Sequence, residues 1–221
     1  MSLAITLRKH IHPNLFREII LHVIEKSLGD EIILCSGFFQ ENKKTKKGLD
    51  SYKISDDGKF GDFLNQNNIS VTSIGVHNGV WKNEYVRFRD NLRSMGVTVK
   101  AKVTSNYKWH AKIFLLKKDG KPILGIVGSS NMTRKAFSIQ DFNFEADVVM
   151  WCDELNSNMK DFVSNIGNSE YDNQGKEGDY LGFQDIILAD YDPAIHAGIT
   201  IQDRLIGLEK EINVVSMKDL P

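Results

Sequence analysis

The sequence predicts an α/β domain, a central β-sheet with helices packed on its faces. Two observations predict it. Along the 221 residues the hydrophobic period switches repeatedly between helical and strand spacing, and a composition of 41% hydrophobic and 26% charged residues suits one sizeable core in an ordinary soluble chain.

The elements follow in order. Leu15, Phe16, Ile19, Ile20, Val23, Ile24 and Leu28 recur at helical spacing after Pro13, with Gly29 as the expected stop. "EIILCSGFF" is short and apolar and predicts a buried strand. "QENKKTKKGLDSYKISDDGK" lacks a period and is expected to be loop; its run Lys43, Lys44, Lys46 and Lys47 suits either solvated charge or contact with a phosphate backbone. "ISVTSIGVH", "KNEYVRFRDNLRSMG" and "VTVKAKV" predict strand, helix and strand. "WHAKIFLL" and "ILGIVGSS" flank an Asp119-Gly120 turn signal and predict a hairpin. A strand over "FNFEADVVMW" and a helix over "DELNSNMKDFVSNIG" complete the pattern.

A formal net charge of −1 argues against a surface that is basic all over, yet leaves room for a local cationic groove. Cys35 and Cys152 stand far apart in apolar runs and read as small buried hydrophobes of a reducing compartment. No zinc-like spacing occurs, and His10 and His12 have no cysteine or carboxylate at ligand spacing, so no metal site is expected. No window reaches the about 20 apolar residues of a membrane span, which points to the cytoplasm and no membrane partner.

Chemistry concentrates around the hairpin. In its first strand His110, Lys112, Phe114 and Leu116 share one face, so two cations begin a face that is otherwise apolar. A lysine there calls for an anion nearby, because desolvating an unpaired ammonium costs several kcal/mol. The return strand ends in "GSSN", small residues at a strand end where free backbone N–H groups suit an anion. One strand later Asn143, Glu145 and Asp147 share a face, and Glu145 is placed to orient a histidine. Each residue also has a plain reading: solvated cations on an edge strand, a helix cap for Ser129 and Asn131, half of a salt bridge for Glu145. His77, at a strand end, suits capping or a cleft wall. Trp81 and Trp109 suit base stacking as well as core or dimer packing.

Taken together these residues resemble the phospholipase D superfamily, whose pattern is H-x-K-x4-D-x6-G-S-x-N followed by an N-x-E-like element. "HAK" supplies His110 and Lys112, "GSSN" supplies Gly128, Ser129 and Asn131, and "NFE" supplies Asn143 and Glu145. "RDNLRSMGVTVKAKV" resembles the helix and strand that precede the motif, so the likeness runs over roughly residues 69 to 151. Two departures stand out. Lys117 holds the position of the family aspartate, and the stretch before Gly128 is longer than the pattern.

The resemblance implies a mixed sheet flanked by helices on both faces and phosphodiester cleavage through a covalent phosphohistidine. His110 would be nucleophile in one copy and general acid in the other, Lys112 and Asn131 would hold the phosphate oxygens with Ser129 as a further donor, and Glu145 would fix the His110 tautomer. One motif in the chain implies a homodimer that shares its site, with no metal and no cofactor. Short single-motif members resemble metal-independent nucleases, and Lys108, Lys117, Lys118 and Lys121 around the hairpin suit DNA or another nucleic acid. Restriction endonucleases of this superfamily join such a domain to a separate DNA-reading domain. Residues 1–170 are therefore expected to form the catalytic domain, and 171–221 an extension packed on it or leading to a recognition domain. The other readings are a catalytically silent nucleic-acid-binding or dimerisation module of the same fold, and a phosphodiesterase acting on phospholipid.

Overall fold

The computed structural model describes residues 2–8, 13–43, 52–76, 79, 81–104, 112–174 and 186–221. In chain order these give β1 (Ser2–Arg8), α1 (Leu15–Glu25), β2 (Glu31–Ser36), β3 (Glu41–Lys43), β4 (Tyr52–Lys53), α2 (Phe60–Gln66), β5 (Ser70–Val76), α3 (Lys82–Ser94), β6 (Val99–Thr104), β7 (Lys112–Lys118), β8 (Lys121–Gly128), α4 (Arg134–Phe137), β9 (Glu145–Trp151), α5 (Asn156–Gln174), β10 (Ile186–Asp190), α6 (Ile201–Val214) and β11 (Met217–Asp219). Among the described residues, nine strands form one sheet in the order β10-β1-β9-β8-β7-β2-β5-β6-β11. The β2/β5 and β5/β6 pairs are parallel and the rest antiparallel, so the sheet is mixed.

Side chains that alternate along each strand divide the core in two. Ile32, Leu34, Phe114, Leu116, Leu124, Ile126, Val149 and Trp151 meet α1, α2, α3 and α5 on one face. Ile33, Cys35, Ile113 and Leu115 meet Ile201, Leu205 and Ile212 of α6 on the other. Helices thus cover both faces, as expected. Burial makes inert thiols of both cysteines, which are free, and pushes Cys35 up to about 12.

The expected hairpin is β7-turn-β8, with Asp119 (φ 51°) and Gly120 (φ 75°) both left-handed, the geometry a two-residue turn needs to match strand twist. Three local expectations change. The first helix stops at Lys26 with Ser27 in the left-handed region, two residues before Gly29. The stretch expected to be loop carries the small β3/β4 hairpin, which buries Glu41 beneath hydrogen bonds from Asn91 Nδ2 (2.6 Å) and Ser55 N (3.3 Å). Lys117 and Lys118 end β7 about 16 and about 20 Å from Lys112 at the usual rise per residue, beside Lys121 at the start of β8, so these three lysines do not line the motif. Lys117 instead pairs with Glu31 (3.0 Å) and Glu209 (2.7 Å), tying α6 to the sheet where the family pattern has an aspartate.

The residues after 185 complete the sheet. β10 pairs with β1, β11 pairs with β6, and α6 enters through a capping box between Thr200 and Asp203. The boundary expected at residue 170 lies inside α5.

Candidate active site

At one end of the sheet the register lines up the residues singled out by sequence. Lys112 begins β7 opposite Gly128 at the end of β8; Gly128 lies opposite Asp147 of β9, and Asp147 opposite Thr6 of β1. One step nearer the rim, Glu145 pairs with Arg8. Ser36 ends β2 on the other flank, one residue beyond the Cys35–Ile113 pair. His110 lies outside the described residues, as do His10, His12, His77, Trp109, Lys108, Lys44, Lys46 and Lys47.

Lys112 is buried on the side that α1, α2, α3 and α5 cover. Burial pulls its pKa below the ordinary lysine value, and the nearby Glu145 charge draws it partly back. The GSSN turn is fixed by two serine–carboxylate contacts. Ser129 Oγ donates to Glu145 Oε2 in a short hydrogen bond and accepts from Ala146 N at 3.0 Å. Ser130 donates twice to Asp147, from its backbone N (3.2 Å) and its hydroxyl (2.6 Å). Burial raises the Asp147 carboxyl above its usual range, against the lowering effect of these bonds. Asn143 Nδ2 donates to Glu145 Oε1 at 3.3 Å, so both Glu145 oxygens are held. Asn131 is half-buried, with its Oδ1 3.3 Å from the Ser36 hydroxyl, which also lies 2.7 Å from Phe38 O and accepts from Met132 N at 3.0 Å.

Lys112, Ser129, Asn131 and Glu145 thus come together at one rim, with the His110 position two residues before Lys112. Sequence reading missed Arg8, Asn14 and Ser36. The Arg8 guanidinium donates to the carbonyls of Lys135, Ala136, Ser138 and Asp141 at 2.9–3.0 Å, and Asn14 Nδ2 donates to those of Ala136 and Phe137 at 2.9 Å. Both anchor the loop that leads to Asn143 and Glu145. The strict alternation of "SLAITLR" was the available signal, since it puts Arg8 on the face of Ala4 and Thr6. Among the described residues no cluster of three or more His, Cys, Asp or Glu could hold a metal ion. Chemically, the rim offers an ammonium and an amide as donors beside a carboxylate held by the Ser129 hydroxyl.

Comparison with known proteins gives the family. The profile of the NgoFVII restriction endonuclease N-terminal PLD domain matches residues 63–176, just over half the chain, including the whole motif region. The fold is similar to that of Nuc, a phospholipase D family member from Salmonella typhimurium, at 15% identity over 74% of this chain and 93% of that one, with a TM-score of 0.46. It is also similar to NucT from Helicobacter pylori, at 13% identity over 75% and 96% of the two chains, with a TM-score of 0.43. No curated protein sequence matches the chain. On the extent of the profile match, the chain belongs to the phospholipase D-like family of the NgoFVII restriction endonuclease N-terminal domain.

Proposed function

We propose that the chain is a metal-independent phosphodiesterase that cleaves DNA in the cytoplasm, as a restriction-type endonuclease, through a covalent phosphohistidine in a site shared by two copies. Residues 1–170 are read as the catalytic part and 171–221 as its extension. The observation that carries the proposal is the register of Lys112 against Gly128, which sets the lysine beside the GSSN turn while Ser129 grips Glu145.

In the first step the His110 imidazole of one copy attacks phosphorus. A P–N bond forms, the P–O bond to the leaving strand breaks, and the His110 imidazolium of the second copy gives its proton to the leaving oxygen. In the second step that same imidazole takes a proton from water, the water oxygen attacks phosphorus, and the P–N bond breaks. Lys112 and the Asn131 amide hold the non-bridging oxygens, and Ser129, expected from the sequence as a further donor, could serve so only by giving up the hydrogen bond it donates to Glu145. Glu145, fixed by Ser129 and Asn143, accepts from the His110 ring and sets its tautomer.

Because the nucleophile is an imidazole and the charge stabilisers are side chains, no step calls for a divalent ion. Plasmid cleavage is expected to persist in excess EDTA. Loss on chelation that magnesium restores would reject the mechanism, and DNA binding without cleavage across a range of pH would favour a silent module of the same fold.

The shared site has its own signature. Under two-fold pairing, random re-association of wild-type chains with an equal amount of His110→Ala chains puts half of the wild-type chains into mixed dimers that lack one role. Activity per wild-type chain should then fall to about half. Sedimentation would verify dimers, and undiminished activity per wild-type chain would mean independent monomeric sites.

A further inference from the structure

Beyond the groups assigned to the phosphate, the geometry points to a nucleobase subsite: we infer that Phe38 and Trp81 stack a base next to the scissile phosphate once that base is unpaired from its duplex. The inference rests on the nucleic-acid reading above and deepens it.

The two consecutive phenylalanines behave differently. Phe39 is fully buried and stacks on Tyr85 at 4.5 Å and beside Phe88 at 4.8 Å. Phe38 stays half-buried, outside both core clusters, with its ring 4.9 Å from that of Trp81 at an interplanar angle of 41°. Trp81 is half-buried too, at the start of α3. Two large aromatics that remain partly exposed beside a filled core present apolar, polarisable surface to whatever occupies the rim.

Their position ties that surface to the phosphate groups. Phe38 O lies 2.7 Å from the Ser36 hydroxyl, which is itself 3.3 Å from Asn131 Oδ1. The Gly37 backbone passes so close that a Cβ there would stand 3.3 Å from the same Oδ1. The aromatic pair therefore begins one residue from the amide proposed to hold a phosphate oxygen. A base attached through the sugar to that phosphate falls within reach. In a duplex the base face is already stacked, whereas an unpaired base has a free face for a ring, and such contacts tolerate any base.

The test is fluorescence anisotropy with a dye-labelled 12-nucleotide single strand, the same strand annealed to its complement, and a strand carrying abasic residues at its centre. The proteins are wild type and Phe38→Leu/Trp81→Leu, which keeps apolar bulk but removes both aromatic faces. Circular dichroism and sedimentation check fold and assembly, and Phe38→Tyr/Trp81→Phe serves as the conservative rescue. The leucine variant should bind the single strand about 10-fold more weakly or worse. It should bind the abasic strand as wild type does, and the aromatic variant should recover base-dependent binding.

Equal single-strand binding by wild type and the leucine variant overturns the inference. So does an equal loss on base-containing and abasic strands, or a shift to monomers that makes the pair an interface between copies. A wild type that binds no nucleic acid overturns it as well. Base-dependent binding without cleavage would defeat the nuclease reading and leave the subsite standing; cleavage unaffected by the leucine variant would do the reverse.

Discussion

Lys112→Ala is expected to slow cleavage by about 10²–10³-fold, the usual cost of removing one preorganised group that stabilises developing charge. The lysine is buried at the start of β7, opposite Gly128, so its ammonium is held at the rim by the strand and has little freedom to lose when a phosphate arrives. The ammonium is also only partly solvated, which strengthens its interaction with a phosphate oxygen. The fold should survive, because the substitution removes a charge whose burial is unfavourable and leaves the β7/β8 backbone ladder intact. The pH profile follows with a definite sign. Activity needs the charged form, and burial lowers the pKa, so the alkaline limb of the wild-type rate should fall below the pH at which an ordinary lysine titrates. Single-turnover rates on a labelled oligonucleotide, with circular dichroism as the fold check, test both statements. A folded Lys112→Ala protein that cleaves at the wild-type rate would show the site to be wrongly assigned.

Gly128→Ala is expected to cost about 3 kcal/mol of stability or more, at or beyond the upper end of ordinary overpacking, and to remove activity with it. A Cβ at Gly128 would stand 2.0 Å from Asp147 Oδ1 and 2.5 Å from the Ala146 carbonyl oxygen. Neither can yield easily. Asp147 is buried and bound twice by Ser130, and the Ala146 carbonyl accepts from Ser129 N at 3.1 Å. Gly125 in the same strand makes the comparison. Its Cβ would first meet Leu205 Cδ2 at 2.4 Å, the end of a flexible side chain. Urea unfolding of both variants should therefore show the larger loss at Gly128. Equal losses would remove the argument that the Ser130–Asp147 contact is rigid.

The parts of this molecule legible in the sequence are those set by neighbours along the chain. The short apolar run of β7, the turn chemistry of Asp119-Gly120 and the 3.6-residue period of α1 and α3 each encode their element locally, and the spacing of Lys112, Gly128, Ser129, Asn131 and Glu145 carried the family likeness. What escaped depends on distant pairing. The antiparallel placement of β1 between β9 and β10 puts Arg8 opposite Glu145, a contact between residues 137 positions apart that no local period announces. The same limit hid the seating of β10 and β11 at opposite edges of the sheet. It also misplaced Lys117, Lys118 and Lys121. They are close to the motif in sequence, but a strand carries its residues away at about 3.3 Å each, and Lys117 ends in a clasp with Glu31 and Glu209.

The central claim is that cleavage proceeds by two displacements at phosphorus, with a P–N bond made and broken in between. The most direct measurement is the stereochemical course at phosphorus, obtained by cleaving a strand with one phosphorothioate linkage of known configuration in ¹⁸O-labelled water. Each in-line displacement inverts the centre, so two give overall retention, whether or not the intermediate accumulates. Retention is the predicted result. Inversion would mean that water attacks directly in a single step, and would contradict a nucleophilic His110.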